Sequence, residues 1–65
     1  MTTNIVFRDY STMDKIATMS FRDSAPIPVQ GQSVIVRGKG YIVRSVLLEY
    51  FTDTLVEATV NCVAL

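Results

Sequence analysis

Val56, Ala58, Val60 and Cys62 place a small or apolar side chain at every second position, and Val46, Leu48 and Tyr50 make the same step just before them, across a Thr52-Asp53-Thr54 turn. A period of two belongs to extended chain, where successive side chains point to opposite faces. Two such runs joined by a short polar turn form an antiparallel hairpin with one shared apolar face. Long helical periodicity is missing, although Met13, Ile16, Ala17 and Met19 in "STMDKIATM" follow helical spacing behind the potential caps Ser11 and Thr12. The fold class expected is all-β.

Five strands follow from the same reasoning: Asn4 to Tyr10, Lys15 to Asp23, Ser33 to Arg37, Tyr41 to Phe51, and Thr54 to about Leu65. "STMD" is a short hairpin loop between the first two. "SAPIPVQGQ" is an irregular crossing segment, because its two prolines cannot donate to a central ladder. In "RGKGY" the glycines supply the positive φ of a tight hairpin. A turn at Gly38 and Lys39 sets Val36 against Tyr41 and Val34 against Val43. The alternation slips by one residue between Val43 and Val46, which predicts a β-bulge near Arg44 and Ser45 and a bend in a long strand.

The triplet Phe-Arg-Asp occurs at residues 7–9 and 21–23. An antiparallel first hairpin puts Phe7 opposite Ala17 or Met19 and Phe21 near Thr3 or Ile5, with both phenylalanines inward. Arg8 and Arg22 then point outward at opposite ends, so the repeat is two strand ends rather than one two-arginine site.

With 65 residues, the chain is one small domain spanning 1–65, and a domain of this size buries only about 60% of the surface its unfolded chain exposes. Domains so small usually carry a staple. A single cysteine excludes an internal disulfide, and with no histidine the usual zinc, haem and iron–sulfur ligand sets cannot be assembled in one chain. No metal or cofactor is expected, and self-association is the staple that remains. Apolar runs reach about four residues, far below the roughly 20 of a membrane-spanning helix, and no signal-peptide layout is present. A soluble protein of a reducing cytoplasm is expected.

The Pro-containing loop leading into "PVQGQSVIV", the glycine hairpin and "YIVRSVLLEY" resemble the small Src-homology-3-like β-barrels. The spacing Pro28-x-x-Gly31-x-x-Val34 with Tyr41-x-Val43-x-x-Val46 is similar to short bacteriophage and mobile-element proteins of that type, over about residues 26 to 60. The resemblance implies a five-stranded barrel or strongly bent antiparallel sheet. The chain departs from the peptide-binding members in having no Trp and no acidic loop beside an aromatic groove. It lacks the longer Gly-rich continuation of the KOW barrels.

The strongest ligand candidate is "RGKGYIVR", in which Arg37, Gly38, Lys39, Gly40 and Arg44 combine three cations with glycine amides able to meet an anion. No helix follows to supply the dipole of a nucleotide loop. Tyr10, Tyr41 and Arg22 are a candidate stacking platform for bases, but charges balanced at six and six lack the positive excess that nucleic-acid binding uses. Glu49 and Glu57 fall opposite or diagonal on the last hairpin near Asp53, without a nucleophile or positioned base to make them catalytic. Cys62 is an inward, inert thiol. Once alternate positions fill the core, Ile35, Ile42, Leu47, Phe51, Leu55, Val63 and Leu65 are left on the outer face. That excess predicts an oligomer interface formed by Ile35, Leu47, Phe51, Leu55, Val63 and Leu65. The function expected is a non-enzymatic oligomeric binding or assembly module that engages another protein, with a binder of nucleic acid or a small anion at basic hairpin tips as the alternative.

Overall fold

The computed structural model of the chain describes residues 1–23 and 25–65, so the part of the crossing segment at Ser24 lies outside the described residues. Five strands form: β1 (Thr2–Asp9), β2 (Lys15–Phe21), β3 (Ser33–Val36), β4 (Lys39–Thr52) and β5 (Leu55–Ala64). They make a single sheet in the order β2-β1-β5-β4-β3, nearly closed into a small barrel compatible with the Src-homology-3-like fold. No residue of "STMDKIATM" is helical. Alternation of Ile16 and Ala17 with their neighbours is instead taken up by β2.

The two hairpins register as their apolar patterns demand. Phe7 faces Ala17, Ile5 faces Met19 and Thr3 faces Phe21. Val46 faces Val60, Leu48 faces Ala58 and Tyr50 faces Val56, after a slip between Val43 and Ser45. That slip is the bulge, with Arg44 as the extra residue. β1 also pairs along its whole length with β5, in parallel, from Thr2 opposite Leu55 to Asp9 opposite Cys62. This parallel contact places β5 between β1 and β4. The central strand is accordingly the driest, with Ala58, Val60 and Cys62 fully buried among Ile5, Phe7, Val43 and Tyr41. Burying a valine such as Val60 contributes about 1.5 to 3 kcal/mol.

Two details differ from expectation. The glycine hairpin turns at Arg37 and Gly38, whose φ angles are 52° and 80°, so Val36 faces Lys39 and Val34 faces Tyr41. Positive φ at both central residues is the type I′ geometry whose twist suits a hairpin. Gly40 is freed for a strand position, where a Cβ would stand 2.9 Å from Leu65 Cδ1. Because the shift in pairing is two residues, every side chain keeps its face. The second difference is in β4 beyond the bulge. Its inward row is not covered: Leu48 is 41% and Tyr50 70% exposed. The crossing segment packs Ala25 and Ile27 against the core but leaves this end open.

The first Phe-Arg-Asp triplet has a structural task. Arg8 donates to the Met13 carbonyl at 3.2 Å, and the Asp9 carboxylate accepts the Ser11 amide at 2.8 Å. Together they hold the loop in which Met13 adopts φ 63°. Phe7 is buried and Phe21 half-buried against the core.

Candidate functional site

The basic residues separate into two places. Arg37 and Lys39 flank Gly38 at the tip of the β3–β4 hairpin, all three exposed. Lys39 Nζ lies 5.7 Å from the centroid of the Tyr41 ring, and Tyr41 is itself buried. A ring covered in this way offers no free face, so Tyr10, Tyr41 and Arg22 do not assemble into a stacking platform. Arg44 lies five residues beyond Lys39, about 17 Å along an extended strand. The bulge directs it to the loop after β1, where its guanidinium carbon sits 5.2 Å from the centroid of the Tyr10 ring.

Arg44 and Tyr10 form one wall of an open cleft of about 530 Å³, whose other walls are Gln30, Gly31, Ile42, Val43 and Ser45. Gly31 owes its place there to φ 89° and to the bond its amide donates to the Val43 carbonyl at 2.9 Å. The Gln32 side chain accepts the Val29 amide at 3.0 Å and closes the turn. The cleft thus offers a cation, an aromatic ring, an amide and a hydroxyl, a set suited to a small planar anion. Sequence pattern alone did not join Tyr10 to Arg44, because the two meet only across β5. The signal was the slip in alternation, which marks the residue a bulge will turn out of line.

Glu49 and Glu57 are directly opposite on the outer face, with Asn4 on the other side of Glu57. Among the described residues, no three carboxylate or thiol groups converge in a way that could hold a metal ion. Cys62 Sγ donates weakly to the Arg8 carbonyl at 3.5 Å. Burial pushes its thiol above the ordinary value, and the Asp9 carboxylate pushes the same way. A thiol held neutral is a poor nucleophile.

The six residues expected at an interface fall into two groups. Ile35, 81% exposed, and Leu65, 76% exposed, flank Gly40 at one end of the sheet with half-buried Val63 next to them. Leu47, 62% exposed, stands with Phe51 and half-buried Leu55 toward the other end. Between them runs a polar row in which Asn61 Nδ2 donates to Ser45 Oγ at 3.1 Å. Asn61 Oδ1 is buried without a partner among the described residues. No protein-family model, curated protein or solved structure matches the chain.

Proposed function

We propose that this chain is a non-enzymatic binding or assembly module that self-associates and presents its assembled surface to another protein. The observation that carries this reading is the outer end of the β4–β5 hairpin, where Leu47, Leu48, Tyr50 and Phe51 are exposed on both faces of one strand. Monomeric domains rarely leave so many large apolar side chains exposed in one region, and a core of this size gains most from a second copy. We infer as well a cytoplasmic setting and a place among the short Src-homology-3-like proteins of bacteriophage or mobile-element type that the Pro28 to Val46 spacing resembles. Phe51→Asp combined with Leu55→Asp is expected to give single chains by light scattering that are largely unfolded or aggregated. A folded double variant with the parent's mass would remove this face from the interface.

A second reading is supported by the Tyr10–Arg44 cleft: the module binds a small anion or nucleic acid through its cations. Changing Arg37, Lys39 and Arg44 together to Gln is expected to leave the fold intact and to weaken binding of inorganic phosphate or a single-stranded oligonucleotide at least tenfold. Equal binding with an unchanged salt dependence would rule these cations out.

A further inference from the structure

We propose that the outer edge of β4, centred on Leu47 and running from Arg44 to Tyr50, pairs antiparallel with the same edge of a second copy of this chain, joining two sheets into one across a twofold axis. The inference rests on the reading of the chain as self-associating and names the seam.

β4 has fourteen residues, and its two edges are used unequally. β5 lines one edge from Tyr41 to Thr52. On the other, β3 reaches Lys39 to Ile42, and Gly31 and Gln32 bond to Val43. Beyond Val43, among the described residues, no strand pairs with that edge. Alternation fixes which backbone groups it presents. The Thr2 amide donates to the Thr54 carbonyl and the Tyr10 amide to that of Cys62, so even-numbered residues of β5 bond toward β1 and odd-numbered ones toward β4. Their partners are Ser45, Leu47 and Glu49. Val46, Leu48 and Tyr50 therefore direct their N–H and C=O groups away from the sheet.

Sheet edges are ordinarily blunted by lysine, proline or brevity. β2 begins at Lys15 and β3 has four residues. The β4 edge has neither Lys nor Pro between Ser45 and Thr52, and it carries exposed apolar side chains on both faces.

Charge favours a second copy as the occupant. Glu49 is the only charged residue from Ser45 to Thr52, and the whole chain is neutral, so two copies meet without net repulsion. Antiparallel self-pairing can keep the two anions apart. With Val46 opposite the second copy's Leu48, Leu47 meets its own equivalent and Glu49 falls opposite the uncharged Ser45. A register displaced so that Glu49 meets Glu49 is disfavoured by like-charge repulsion. The twofold uses the same patch twice and leaves neither copy's edge open. An apolar cleft of about 440 Å³ between Ile27, Pro28, Val29 and the pair Val46 and Leu48 lies on the same edge, with room for the second copy's Leu48.

Total synthesis with Nα-methylated Leu48 removes one outward donor and leaves the β5 ladder whole. In sedimentation equilibrium the parent is expected at twice the chain mass and the methylated chain at the single mass, with the parent's far-ultraviolet spectrum. In the parent, the amides of Val46, Leu48 and Tyr50 should exchange with solvent as slowly as those of Leu47 and Glu49. A methylated chain that stays at twice the mass overturns the seam and leaves self-association standing. A parent at the single mass at every concentration overturns both, and leaves the edge to a foreign extended peptide. Should methylation unfold the chain, fast exchange at those three amides in the parent overturns the seam, and slow exchange supports it.

Discussion

Cys62 shows how one side chain ties the core to pH. Its thiol is buried, and both burial and Asp9 raise its pKa, so the folded chain holds the proton longer than the unfolded chain, whose thiol ionises near about 8.5. The unfolded state therefore loses its proton first as pH rises. The stabilisation is complete below that value and is lost as pH climbs through the folded value. Denaturant midpoints measured from pH 7 to 10 should fall for the parent and fall less steeply for Cys62→Ala, after the constant loss of packing is subtracted. Parallel curves would show that the thiol is not the titrating group. Arg37 is the other residue that sets local terms, since a non-glycine side chain at φ 52° occupies a region where asparagine or glycine is the usual choice.

At the scale of elements, the bulge at Arg44 is what lets β4 serve two surroundings. Before it, Tyr41 and Val43 face the core. After it, Val46 resumes that face opposite Val60. Deleting Arg44 should leave a regular ladder in which Val43 and Val46 both still point inward, so cross-strand contacts from Val43 to Cys62 and from Val46 to Val60 should persist by nuclear magnetic resonance. Deleting Leu48 instead reverses the faces on one side of the cut and should abolish cooperative folding. Loss of fold in the first variant, or its retention in the second, would contradict this account of β4. The pairing of the first and last hairpins, the bulge and the inward row of β5 were legible in the sequence, because a period of two specifies a face without any knowledge of the neighbours. The glycine turn was legible in kind and off by one residue, since either of two positions keeps the same faces and the choice falls to Gly40 beneath Leu65. The parallel contact of β1 with β5 was not legible: nothing local in Thr2 to Asp9 encodes which strand lies on its far side. The cleft between Tyr10 and Arg44 was hidden for the same reason.

At the scale of the molecule, a 35 Å long axis against 19 Å in the other two directions reflects a sheet whose two ends differ. One end is closed by β3 and the basic turn. The other is the open stretch of β4, and it gives the proposed module its direction. The order of strands has one more consequence, for how the chain is made. Its first strand completes the sheet only against its last, 53 positions later by the pairing of Thr2 with Leu55, and closing so long a loop costs entropy before any contact compensates it. A ribosome releases residues from the N-terminus onward, so β1 and β2 emerge as an isolated hairpin, which is marginal in water, and they wait for β5. Stalled nascent chains cut off at Asp53 and followed by a linker long enough to clear the exit tunnel should remain sensitive to protease, and chains carrying the same linker after Leu65 should become resistant in one step. Resistance gained already at Asp53 would mean the hairpins fold independently. Folding during synthesis is then expected to be all-or-none, and both edges of β4 stay unpaired along Ser45 to Thr52 until β5 has emerged.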